Sequence, residues 1–165
     1  MIKYISDKIK AAELVLVGLG EELDAVEAIK KEEEYQGIVN YLNKKEMIPF
    51  TEKLLSERKK DERCHIYEML AHCLENKNYF IVSLCKDGFI RESSFDLTRV
   101  VEPCGGYDKL QCADKCCVEL YDVPEKTFRQ VKNCMNDEHF EGVWEEPGCP
   151  HCGKPLIFNN VNAAN

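Results

Sequence analysis

Cys112-Ala113-Asp114-Lys115-Cys116 and Cys149-Pro150-His151-Cys152-Gly153-Lys154-Pro155 are the two stretches around which this chain is organised. Thiolates bind Zn²⁺ tetrahedrally, and two sulfurs a few residues apart on a tight turn fill one edge of that tetrahedron. Gly153 follows the second pair at once, and glycine lets such a turn reach φ > 0 without a Cβ clash. The first pair has three intervening residues, a looser but workable spacing. The 32 residues between the pairs exceed the usual gap in zinc-binding patterns and imply an excursion inserted between two knuckles. Cys112, Cys116, Cys149 and Cys152 are therefore read as the ligands of one structural zinc, in preference to free thiols or two redox pairs. Cys117 is the alternative to Cys116. Cys134 and His139 lie in the excursion, where they are candidates to cap the metal site. His151 is expected to donate toward the site or solvent, because adjacent positions do not easily share one tetrahedron. Phe128, Phe140 and Trp144 are expected to pack the excursion onto the sheet.

With 165 residues the chain can hold one core, or one domain and a small appendage. Ten cysteines behind an N-terminus that reads as helix rather than leader point to a reducing, cytoplasmic setting, where clustered cysteines bind metal more often than they pair. No stretch approaches the ~20 apolar residues of a membrane span. The net charge of −8, with acids spread along the chain, argues against a nucleic-acid partner.

Ile2, Ile5, Ile9 and Ala12 share one helical stripe, so an amphipathic helix is expected over 2–12. The apolar run from Leu14 to Val17, closing on Gly18-Leu19-Gly20, reads as a strand buried on both faces, as in a parallel sheet. Its glycines suit a strand-to-helix turn that a phosphate can approach. Glu21, Glu22 and Asp24 would repel that phosphate, so a plain βα turn stands beside the nucleotide reading.

Residues 21–75 look helical in pieces, broken at Pro49, with Thr51 a candidate N-cap. The charged run 57–63 reads as a solvated face, His65 and His72 as ordinary helix residues, and Cys64 and Cys73 as buried or half-buried apolar side chains. Tyr79–Leu84 is a second strand, running into the loop Cys85-Lys86-Asp87-Gly88 at its carboxyl end, where open α/β sheets place ligands. A third strand is expected at 98–101. The fold class that follows is α/β: a Rossmann-like parallel sheet of about three strands, incomplete, with an inserted zinc-ribbon module. The boundaries are 1–103 for the Rossmann-like portion, 104–158 for the zinc module and 159–165 for a tail without strand signal.

Taken in order, Val15–Gly20, Tyr79–Gly88 and Cys104-Gly105 through the two cysteine pairs resemble the sirtuin family, most closely its macrodomain-linked bacterial branch. The eight-residue step from Cys104 to Cys112 is similar to the family's step from its catalytic histidine to its first zinc ligand. The resemblance implies NAD⁺ as cofactor, with Gly18, Gly20, Asp87 and Gly105 lining its site. It implies deacylation of an acyl-lysine, or transfer of ADP-ribose to another protein acceptor. Cys104 stands at the position of the family's histidine base, Cys85 at that of an asparagine, and Glu22 at that of a serine. These departures imply reduced competence and leave a non-catalytic regulatory or interaction module as the alternative. Sirtuins return to their sheet after the zinc module. The resemblance therefore implies that a continuation of the chain, or a partner chain, completes the sheet.

Overall fold

Leu14, Leu16 and Gly18 alternate with Val15, Val17 and Leu19, the period of two that a strand covered on one side requires. In the computed structural model, which describes residues 2–42, 44–137 and 142–160, this stretch is strand β1 (Leu14–Leu19), preceded by helix α1 (Ile2–Ala11). Helices α2 (Ala25–Lys30), α3 (Glu33–Tyr41), α4 (Ile48–Ser56) and α5 (Lys60–Cys73) follow, then strands β2 (Asn78–Ser83), β3 (Val100–Val101) and β4 (Gly105–Cys112). Helix α6 (Glu125–Asn136) and strand β5 (Leu156–Asn160) complete the described chain. His139, Phe140 and tail residues 161–165 lie outside the described residues.

Strands β1, β2 and β3 form a parallel sheet in that order, with Leu14 opposite Asn78 and Leu19 opposite Ser83. Val15, Val17, Tyr79, Ile81 and Val100 turn toward a core completed by Tyr67 of α5 and by Leu74, Phe89, Ile90 and Phe95. The opposite face differs from expectation. Leu14 and Leu16 are 58% and 71% exposed, and Phe80 and Val101 are also exposed, so the sheet is covered on one side only among the described residues. A strand's alternation decides which of its residues are buried, and uniform apolarity hid that β1 has only one covered face.

The second sheet pairs β4 antiparallel with β5, joining Cys112 to Leu156 and Gly105 to Asn160. Asn159 and Asn160 are thus strand residues and not tail. Gly105 has φ +62, and a Cβ there would stand 2.1 Å from the Asn159 carbonyl oxygen, so only glycine permits this pairing. Helices α2, α3, α4 and α6 pack on this sheet through Val26, Ile29, Ile38, Phe50, Leu55, Val131 and Cys134. Phe158 meets Phe50 and Tyr107 at ring-centroid distances of 4.9 and 4.6 Å. One apolar core therefore joins residues from both sides of position 104.

Pro49 opens α4 instead of breaking a helix: its missing N–H costs nothing in a first turn, and Thr51 lies buried inside the helix instead of capping it. The charged run 57–63 does face solvent through Arg58–Glu34, Lys59–Glu32 and Lys60–Glu92 pairs, while Arg63 is buried. Cys73 is exposed, against expectation, and Cys64 is half-buried. Cys134 points into the core, with its sulfur 3.9 Å from the Val143 carbonyl, and joins no metal-ligating group among the described residues. Trp144 packs on the core that α4 shares with the second sheet, its ring centroid 5.3 Å from that of Phe50.

Glu52 ties the helices to the second sheet. Its buried carboxylate accepts from Tyr35 Oη at 2.6 Å and Tyr107 Oη at 2.7 Å, with Lys30 Nζ 3.7 Å away. Burial, with the carboxylate's charge and hydrogen bond, pushes both tyrosine hydroxyls above their ordinary range, which keeps them protonated as donors. Tyr107→Phe should lower unfolding stability by about 1–3 kcal/mol in urea titration, since it leaves a buried carboxylate oxygen without its donor. A change within measurement error would mean that water replaces the hydroxyl.

Candidate functional site

The Cys149–Gly153 turn closes with Gly153 N donating to Cys149 O at 2.8 Å and Cys149 N to Lys154 O at 2.7 Å. Gly153 has φ +73, the conformation its position required. On the other side, Lys115 at φ +52 lets the chain fold back, with Lys115 N donating to Cys112 O at 3.0 Å. Pairing of β4 with β5 then brings the two turns together across the excursion; Ala113 N donates to Pro155 O at 3.0 Å.

The result is a tetrad in which the sulfurs of Cys112, Cys116, Cys149 and Cys152 all lie within 4.8 Å of one another. Cys112 and Cys152 sulfurs are 3.5 Å apart, and those of Cys116 and Cys149 are 3.6 Å apart. Zn–S bonds of ~2.3 Å imply tetrahedral edges of ~3.8 Å, so the four thiols fit one Zn²⁺ with little movement. Burial works against ionisation of Cys149, yet N–H donors at Cys152 and His151 and the neighbouring sulfurs bring its thiol down to about 6. That favours the thiolate a metal needs. Cys116 is the member of the tetrad, and Cys117 belongs to a different group, its sulfur 3.4 Å from Tyr121 Oη. A closed set of four thiolates leaves no coordination position for a substrate.

The second candidate region is a cleft of about 250 Å³ lined by Glu21, Asp24, Glu27, Leu84, Lys86 and Cys104. Three separate stretches converge there: the turn after β1, the loop after β2 and the residue before β4. Two buried carboxylates lock the first two of these together. Asp24 caps α2, accepting from Val26 N at 2.9 Å, and its other oxygen accepts from Lys86 N at 3.1 Å. Asp87 answers across the gap, accepting from Ala25 N at 2.8 Å and from Phe89 N at 2.9 Å. Burial pushes the Asp87 carboxyl from 3.8 up to about 6, opposed by those two N–H donors, and burial raises Asp24 as well. Lys86 pairs with Glu27 at the rim. Gly18 and Gly20 are exposed, and a Cβ on either would meet nothing within 4 Å. Cys85 is buried, its sulfur 3.4 Å from Gly20 O.

Sequence reasoning expected Asp87 to line a ligand site; the structure buries its carboxylate behind the cleft, against the first N–H of α2, and the acid that lines the cleft is Asp24, which that reasoning missed. The signal was present in Leu23-Asp24-Ala25-Val26, an acid followed by an apolar helical run, which is an N-cap pattern. No helix among the described residues is long and apolar enough to cross a membrane.

Loss of the tetrad is the direct test of its role. Cys149→Ser should remove the tightly held zinc, taking elemental analysis from one equivalent per chain to none after dialysis against a weak chelator. Retention of that zinc would remove Cys149 from the ligand set. The Asp87 carboxyl gives a second test. Its folded value exceeds its unfolded one, so the stability it contributes is full below about pH 4 and is lost as pH rises through about 6. The unfolding free-energy difference between wild type and Asp87→Asn should therefore change by about 2 kcal/mol between pH 4.5 and 7. A constant difference would mean that the carboxylate stays ionised throughout.

No protein-family model and no curated protein matches the chain. Solved structures do. A structure of Sir2 bound to acetylated peptide aligns over 98% of this chain with a TM-score of 0.56 at 15% identity. A structure on the basis of sirtuin substrate affinity aligns over the same share with a TM-score of 0.55 at 14% identity. The chain spans 63% of the length of each. A parallel sheet with a cleft at its carboxyl end, a two-stranded module and a four-sulfur centre in this order amount to one architecture, and the fold of this chain is sirtuin-like.

Proposed function

We propose that this chain is a sirtuin-type protein of the NAD⁺-dependent deacylase or ADP-ribosyltransferase class, with reduced competence in this form and with a structural zinc in its cysteine tetrad. The observation that carries the reading is the convergence of the β1 turn, the Asp87 loop and Cys104 on one cleft. The fold likeness adds the expectation of NAD⁺ as the ligand of that cleft. The acceptor would be an acyl-lysine or another protein group. A reducing, cytoplasmic setting is consistent with ten cysteines, none of them in a disulfide. The open face of the parallel sheet is where a continuation of the chain or a partner chain would pack.

The residues present fit NAD⁺ in part. Gly18 and Gly20 leave the turn open to an approaching ligand. Cys104, half-buried at the cleft, occupies the position from which the family resemblance expects a proton acceptor. The diphosphate end does not fit as the side chains stand. The N–H groups of Ala25 and Val26, which a phosphate would need, are taken by Asp87 and Asp24, and Glu21 and Glu27 add negative charge. No catalytic step is derived through the cofactor for that reason. The same observation favours the second reading, a non-catalytic module in which the cysteine tetrad serves contact and regulation.

Calorimetry with NAD⁺, followed by an assay of nicotinamide release, separates the two. Binding with slow release supports the first reading, and release should rise in Cys104→His if only the base is weak. Binding without release in either form supports the second. Failure to bind at all would remove NAD⁺ from both.

A further inference from the structure

The side chains of Cys117, Glu119 and His151 form a group of their own, separate from the four sulfurs of the tetrad. Cys117 Sγ, a carboxylate oxygen of Glu119 and a ring nitrogen of His151 all fall within 4.8 Å of one another. Cys117 is half-buried, and Glu119 and His151 are exposed. Two of the three donors neighbour a tetrad cysteine in sequence: Cys117 follows Cys116, and His151 precedes Cys152. Side chains on consecutive residues of a non-helical segment tend to opposite sides, and those two apart return to the same side. Cys116 accordingly joins the first group while Cys117 and Glu119 face the second.

We propose that Cys117, Glu119 and His151 form a second site, for an exchangeable divalent ion of the zinc type. The set offers one thiolate, one imidazole and one carboxylate, donors that suit Zn²⁺ and not the oxygen-seeking Mg²⁺ or Ca²⁺. Three protein ligands leave a fourth position for water or an incoming group, the arrangement of reactive zinc as opposed to structural zinc. The site is held before any ion arrives. Tyr121 and Leu110 exchange both backbone hydrogen bonds at 2.8 Å, fixing the segment that carries Cys117 and Glu119. The closed Cys149–Gly153 turn fixes His151. Tyr121 Oη, 3.4 Å from Cys117 Sγ, supplies the outer hydrogen bond that orients a ligand and tunes its basicity. A mixed, solvent-facing site binds more weakly than four thiolates, so this ion exchanges while the first is retained. The inference is independent of NAD⁺ binding.

The test uses the full chain purified with zinc in its tetrad, equilibrated against buffered free Zn²⁺ and analysed for metal per chain. The expected result is two zinc per chain at saturation, falling to one after dialysis against a weak chelator. His151→Ala, Glu119→Gln and Cys117→Ser should each saturate at one while retaining that one through dialysis, which also shows that the module is still folded. Added Co²⁺ should give the wild type a thiolate charge-transfer band that Cys117→Ser lacks. Saturation of the wild type at one zinc overturns the proposal. So does a second equivalent that survives His151→Ala and Glu119→Gln, which marks adventitious binding. Loss of all zinc in Cys117→Ser would place that sulfur in the first site and equally overturn it.

Discussion

The loop Cys85–Gly88 is the point at which the parts of this molecule are fixed to one another. Asp87 accepts from the first N–H of α2, and Asp24 at the cap of α2 accepts from Lys86 N. On the other side, Tyr107 N donates to Lys86 O at 2.7 Å, so β4 starts against the same loop. Lys53 of α4 reaches the Asp87 carbonyl at 3.3 Å and lies over the Phe89 ring at 4.9 Å. Three elements, α2, α4 and β4, are therefore referenced to the loop that ends β2, which ties both sheets to it. A buried backbone group must find a partner, and here the partners come from across the fold instead of from a neighbouring strand.

That arrangement explains a tension in the cleft. The same carboxylates that fix the geometry satisfy the helix N-terminus, which in nucleotide-binding turns is left free for phosphate. Raising the ionisation range of Asp87 is the electrostatic trace of this arrangement: the group is desolvated enough that its charge is costly, and two N–H donors offset only part of that cost. The cysteine tetrad shows no comparable conflict. Its sulfurs are close to tetrahedral spacing on turns that their own backbone hydrogen bonds close.

How much of this was legible in the sequence depends on the range of the interaction. Cys149, Cys152 and Gly153 announce a turn through local spacing, and the positive φ of Gly153 follows from chemistry alone. The pairing of that turn with Cys112 and Cys116 was also readable, because four thiols in two pairs have one economical use. The exposed side of β1 was not, since Leu14 and Leu16 are as apolar as their buried neighbours and only packing distinguishes them. Thr51 misled because Ser and Thr signal both caps and helix interiors, and Pro49 beside it was compatible with either. Cys134 could be assigned to the core only once α6 was seen packed on α4. The Asp24–Asp87 exchange spans more than sixty positions, beyond any periodicity.

Gly105 deserves a different kind of reading from the other glycines. The Asn159 carbonyl oxygen occupies the place where its β-carbon would go, so the constraint comes from assembling the last strand and is blind to whatever happens in the cleft next door. A lineage that abandoned chemistry altogether would still be obliged to keep this residue. In descendants of such a chain, the glycine beside position 104 is a marker of intact architecture and carries no information about whether a reaction survives.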